Sequence, residues 1–137
     1  EKYLYHATYI QHLPSILQKG LGNTRRKYWD HLGKGVVYLA TDDDIAYSFA
    51  EVAMDDPDGI ENTMLGRLAE DDIIVLEINT ATLDSTKFEE DTNIDLDEDE
   101  EAYTFAYRGI IQKQSINRII TYSDRVKKLV DKYMEKY

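Results

Sequence analysis

Apolar positions along the chain switch between a period of two and a period near four. The first strongly apolar stretch, Tyr3-Leu4-Tyr5, is rich in residues that favour extended backbone, and Lys2 to Thr8 reads as a strand. Ile10, Leu13, Ile16 and Leu17 follow at helical spacing. Pro14 stands near the front of that segment, where a missing N–H costs nothing, and Gly20 after Lys19 reads as the helix stop. The first twenty or so residues therefore predict a strand, a helix and a glycine end.

Gly33-Lys34-Gly35 opens a second extended run, Val36-Val37-Tyr38-Leu39-Ala40. Thr41 is placed to cap a helix with Asp42, Asp43 and Asp44 in its first turn, where acids complement the helix dipole. Ile45, Ala46, Phe49, Ala50 and Ala53 give this helix its apolar face; it ends over Met54 to Asp58, with Pro57 and Gly59 as breakers. Between the first helix and the second strand, Gly22 to Lys34 is polar and reads as a loop, with Trp29 covering the edge of the core or a pocket. Met64, Leu65 and Leu68 are compatible with a short helix or a hairpin edge.

Ile73-Ile74-Val75-Leu76-Glu77-Ile78 predicts a strand buried on at least one face. Asn79 to Phe88 is a connection anchored by Ala81, Leu83 and Phe88. Tyr103 to Tyr107 alternates aromatic and small residues and reads as a strand broken by Gly109; Ile116 and Ile119-Ile120-Thr121 form another. Ser123 caps a last helix whose core face is Val126, Leu129, Val130, Tyr133 and Met134. With no internal repeat and no linker, residues 1–137 are expected to form one α+β domain.

Composition narrows the function classes. No apolar run has the length of a membrane span, and no signal-peptide pattern opens the chain. Its start at Glu1 reads as a segment trimmed from something longer. The absence of cysteine excludes disulfides, thiolate metal sites and a thiol nucleophile, and suits a reducing, cytoplasmic setting. The three histidines, His6, His12 and His31, match no metal-binding spacing, so no metal centre is expected. A net charge of −11 argues against a surface that binds nucleic acid as a whole, since that needs clustered cations. It suits docking on a basic partner. The most biased stretch, residues 89–101, is dominated by Asp and Glu and reads as a solvated loop; it lacks the glycine and alternating ligands of a calcium loop.

Two segments carry a resemblance. Tyr5-His6-Ala7-Thr8 followed by Ile16-Leu17 and Gly20-Leu21 resembles the first motif of the ADP-ribosyltransferase fold. Gly33-Lys34-Gly35-Val36-Val37-Tyr38-Leu39-Ala40, with Ala46 and Phe49 in the next helix, resembles the second motif of poly(ADP-ribose)-polymerase-like members, with one aliphatic residue more than the strictest pattern. Together these cover about the first fifty residues.

The resemblance implies a split β-sheet with flanking helices and a crevice that grips NAD as a substrate. By motif match, His6 bonds a ribose of NAD on its adenosine or nicotinamide side, and the Ala7 backbone pairs with the nicotinamide amide beside Thr8. Tyr38 stacks on the nicotinamide ring, and Phe49 lies in the core or at the pocket edge. Ala7 replaces the usual glycine, which narrows the approach by a methyl group. Arg25, with Arg26 and Lys27, is either a solvated loop or the contact for the NAD pyrophosphate or a phosphorylated substrate. The family's third-motif carboxylate stands at the start of a strand. Here that position falls on Glu101, next to Glu100, or in a tighter register on Tyr103 or Thr104, with no acid. Catalytic roles thus fall on His6, Tyr38 and Glu101.

The activity implied is transfer of ADP-ribose from NAD to a protein or nucleic-acid acceptor. Its oxocarbenium-like transition state needs the ring and ribose held fixed while charge develops, with a carboxylate binding the ribose or activating the acceptor. Two other readings are an RNA 2′-phosphotransferase-like enzyme, which the acidic balance disfavours, and an acidic interaction or inhibitor protein on the same scaffold, which the acidic balance suits.

Overall fold

The computed structural model describes residues 3–22, 36–55, 68–90 and 104–137. In chain order these form β1 (Tyr3–Tyr9), α1 (Leu13–Lys19), β2 (Val37–Ala40), α2 (Asp43–Asp55), β3 (Ile73–Asn79), β4 (Phe88–Glu90), β5 (Thr104–Tyr107), β6 (Ile116–Ile120) and α3 (Asp124–Lys136). The six strands make one sheet in the order β4-β5-β2-β1-β3-β6, with every pair antiparallel.

The sheet is split between its two central strands. β1 pairs with β3 along its whole length, from Tyr3 opposite Asn79 to Tyr9 opposite Ile73. β2 pairs with β5 from Val37 opposite Tyr107 to Ala40 opposite Thr104. Between β1 and β2 there is a single rung, Tyr5 opposite Ala40. The halves β4-β5-β2 and β1-β3-β6 therefore meet at a neck.

Alternation along the strands sends side chains to two layers. On one face, Leu4, Val37, Leu39, Ile74, Leu76 and Ile78 pack with Leu13, Ile16 and Leu17 of α1 and Val126 and Val130 of α3. On the other, Tyr9, Ala40, Ile73 and Val75 meet α2 through Ala46 and Ala50. Both faces of β3 are covered, which is why its sequence is an almost unbroken apolar run.

The helix ends follow their capping chemistry. Ser123 Oγ accepts from the Val126 N–H at 3.2 Å, as expected for the start of α3. Gly20 closes α1 with φ of 88°, open only to glycine at little cost. At α2, however, the cap is Asp42, whose Oδ1 accepts from the Ile45 N–H at 2.9 Å; Thr41 lies one residue too early.

The apolar faces are narrower than the sequence suggests. α2 turns Ala46 and Ala50 to the sheet, flanked by Tyr47 and Met54, leaving Phe49 and Ala53 exposed. Small residues at the contact let the helix approach closely, and the Tyr9 hydroxyl donates to the Ala50 carbonyl at 2.8 Å. On α3, Met134 is exposed, beyond the part of the helix that covers the core. The connection after β3 is two 3₁₀ turns capped by the Asn79 and Asp84 side chains; Leu83 and Phe88 anchor it, whereas Ala81 is exposed. The first residues of the acidic run are strand, because Phe88–Glu90 pairs with β5; the remainder lies outside the described residues. The Gly22–Lys34 loop beyond Gly22, including Trp29, and Met64 and Leu65 also lie outside them. Leu68 is buried with Tyr9, Ala50 and Ile73. Among the described residues, no helix is long and apolar enough to cross a membrane.

Candidate functional site

Beyond the Tyr5–Ala40 rung, β1 is no longer laddered to β2, and a side chain takes over the bridging. His6 Nδ1 lies 2.8 Å from the Tyr38 carbonyl oxygen. A carbonyl can only accept, so Nδ1 carries the proton; in the neutral ring Nε2 is then the acceptor. The backbone on either side fixes this arrangement. His6 is held opposite Leu76 on β3 and Tyr38 opposite Ala106 on β5, so each partner belongs to a different half of the sheet.

The structure brings His6 and Tyr38 together through the Tyr38 backbone. Strand alternation puts the His6 side chain on the α1/α3 face, between Leu4 and Thr8, and the Tyr38 ring on the α2 face with Ala40. Tyr38 is half-buried and its hydroxyl is fully enclosed. Ala7 packs its methyl among Tyr9, Ala50, Val75 and Tyr47, and Thr8 is buried opposite Ile74. Phe49 stands exposed on α2 and joins neither core layer, because the helix is rotated to seat Ala46 and Ala50. Of the two places expected for Phe49, the core is thus corrected. Arg25, Arg26, Lys27, Glu100, Glu101 and Tyr103 lie outside the described residues. β5 begins at Thr104, which is buried opposite Ala40.

Beside the neck is a polar cluster that sequence reasoning missed. The Glu77 carboxylate on β3 is buried and accepts three side-chain hydrogen bonds: Tyr5 Oη at 3.0 Å, Asn117 Nδ2 at 2.6 Å and Arg118 Nε at 2.9 Å. Asn117 reaches it because the β3–β6 register shifts between Glu77 and Ile78, which turns consecutive β6 side chains toward one carboxylate. Burial pushes the Glu77 carboxyl up, but the bonds from Asn117, Arg118 and Tyr5 together outweigh it and hold the group below its usual range. The signal in the sequence was a single charge inside an apolar strand.

A second buried carboxylate, Asp72, ties the start of β3 to α3. Its Oδ1 accepts from Arg125 Nη2 at 2.6 Å and its Oδ2 from the Ala69 N–H at 3.0 Å, with Gln11 as a further donor. Burial raises this carboxyl as well; the bonds again prevail and lower it. At the edge of α2, the rings of Tyr47 and Tyr122 meet at 4.6 Å between centroids. Burial, with Asp43 and Asp44 nearby, pushes the Tyr122 phenol up to about 12.

The split-sheet α+β architecture expected from the motif resemblance is the one the chain adopts, and a solved structure shares it. Thermus sp. 2.9 DarT in complex with NAD+ superposes with a TM-score of 0.57 at 16% identity, over 98% of this chain and 89% of that one. At this identity the likeness is one of fold. No family model matches the chain, and no curated protein matches it.

Proposed function

We propose that the chain is a divergent NAD-dependent ADP-ribosyltransferase that acts on a macromolecular acceptor, protein or nucleic acid. The observation that carries this reading is the His6–Tyr38 bridge at the split of a sheet whose fold is shared with a protein in complex with NAD+. Nδ1 donates to the Tyr38 carbonyl, so Nε2 is the acceptor atom of the neutral ring, which is the polarity a ribose hydroxyl needs. His6 is locked by a bond to backbone of the opposite half, so it meets a ligand without first losing rotamer freedom. Tyr38 enters this reading through the backbone carbonyl that seats His6, since its ring lies on the other face of the sheet. Glu101, ahead of β5, is assigned as the acid that binds the ribose or activates the acceptor.

Catalysis in this reading is mostly restraint. The nicotinamide–ribose bond breaks with positive charge developing on the ribose, while the electron pair leaves with nicotinamide. His6, seated on the Tyr38 carbonyl, keeps the ribose from recoiling, and a carboxylate lowers the energy of the cation. Calorimetric titration with NAD, followed by assay of nicotinamide release, tests it. The expected result is binding and release by the wild type, with release lost in a His6→Ala protein that keeps the wild-type circular dichroism. Full activity in that variant would remove His6 from the site. Absence of an NAD signal, with salt-sensitive binding to a basic protein, would select the non-enzymatic reading.

A further inference from the structure

The residues on either side of the neck lie in one row. Sheet register sets Arg118, Glu77, Tyr5, Ala40 and Thr104 side by side on β6, β3, β1, β2 and β5. Directly opposed residues share a face, so this row runs along the α2 side of the sheet across the split. Tyr5 has two attachments in it. Its backbone forms the rung to Ala40, and its phenol donates to the buried Glu77 carboxylate. The next residue is His6, bonded to the Tyr38 carbonyl.

Glu77 is an unusual way to fill this place. An apolar residue of similar size would avoid the desolvation of a carboxylate, and buried charges are often no gain in stability over such a residue. The carboxylate instead supplies directed, charge-assisted bonds to two different strands: β1 through Tyr5, and β6 through Asn117 and Arg118. The register shift in β3–β6 disrupts the regular ladder and brings Asn117 within reach beside the directly opposed Arg118. The result fixes the lateral position of Tyr5 on the strand that has a single rung to β2.

We infer that Glu77 is a positioning residue which, through Tyr5, sets β1 at the neck of the split and so holds the His6 imidazole on the Tyr38 carbonyl. Tyr5→Phe and Glu77→Gln test this from both ends of the bond, the first keeping the ring and the second keeping the side-chain volume. Asp72→Asn is the control, since it weakens the other carboxylate buried among the described residues, at the opposite end of β3. Two readouts are taken on folded protein at neutral pH. The chain has only three histidines, so an imidazole nitrogen NMR spectrum reads the His6 tautomer directly.

Tyr5→Phe and Glu77→Gln are expected to shift His6 away from the Nδ1-protonated pattern, and Asp72→Asn to leave it in place. NAD affinity, which rests on the function proposed above, is expected to fall on the order of tenfold in the first two variants and to hold in the control. Folded Tyr5→Phe and Glu77→Gln proteins with the wild-type His6 pattern would overturn the positioning role and leave Glu77 as a stabilising group alone. A wild type that does not bind NAD, with His6 still displaced in the variants, would overturn the proposed function and uphold the positioning role.

Discussion

Glu77 is a carboxylate set in the middle of a strand whose other inward positions are aliphatic, and its cost and benefit are both functions of pH. Burial disfavours its charge, while Asn117, Arg118 and Tyr5 favour it more strongly; Asp72 has the same balance with the Ala69 N–H, Arg125 and Gln11. Both carboxyls titrate lower in the folded chain than in the unfolded one. Their stabilisation is therefore complete above the unfolded carboxyl range, near pH 4, and is lost as pH falls through the folded values. Thermal melts between neutral pH and about pH 3 should show the melting temperature falling below about pH 4, with a shallower fall in Glu77→Gln from a lower starting point. Tyr122 has the opposite sign. Its phenol is pushed up to about 12, so the neutral form is favoured on folding; this stability is present below the ordinary tyrosine range and fades as pH rises toward that value. Tyr122→Phe should flatten the alkaline limb of the same melts and leave the acid limb alone. None of these partnerships was legible in the sequence. The donors to Glu77 lie 72, 40 and 41 residues away, and Asn117 reaches it through a local shift of register that no periodicity announces.

The elements themselves were far easier to read, and the errors among them share one cause. Strand and helix periods placed β1, α1, β2, α2, β3, β5, β6 and α3 close to where they lie. What periodicity cannot supply is the rotation of a helix about its axis, because packing decides it. Reading α2 by its largest apolar residues gives a face with Phe49; the sheet instead accepts Ala46 and Ala50, where the backbone can come close enough for the Tyr9–Ala50 hydrogen bond. The cap was misplaced by one residue for a similar reason. Thr41 and Asp42 are both good caps, and only the backbone geometry selects Asp42. Asp42→Ala should cost about 1 kcal/mol and Thr41→Ala only a few tenths, whereas Ser123→Ala at α3 should cost about 1 kcal/mol, measured by urea denaturation. Equal losses at Thr41 and Asp42 would mean that both residues serve the helix start.

At the scale of the whole molecule, two half-sheets joined by a single rung need other attachments. One is the segment after α1. Leu21 exchanges backbone hydrogen bonds with Ile111, at 2.8 and 2.9 Å, and so ties the end of the first helix unit to the connection between β5 and β6. The sequence showed Gly20 as a helix stop but gave no hint of this bridge, since Leu21 and Ile111 are joined only by the folded topology. Gly22 makes the bridge possible. Its φ is 91°, and a Cβ there would stand 2.7 Å from Val37 Cγ2 and 2.9 Å from the Gly109 carbonyl oxygen. The side chain could rotate away; the carbonyl belongs to the backbone that the bridge holds in place. Gly22→Ala therefore combines an unfavourable φ, worth roughly 1–3 kcal/mol, with a backbone clash. Gly109→Ala is the informative comparison. No positive φ is involved, and its Cβ would meet the Tyr107 ring at 2.8 Å and Lys87 Cδ at 3.1 Å, both side chains. Urea denaturation should place Gly22→Ala well below Gly109→Ala in stability. Amide exchange should show the loss at Leu21 and Ile111 first, while the β1–β3 ladder keeps its protection. If exchange instead rose evenly across the sheet, the bridge would be no separate attachment, and the halves would be held together by the shared core beneath them.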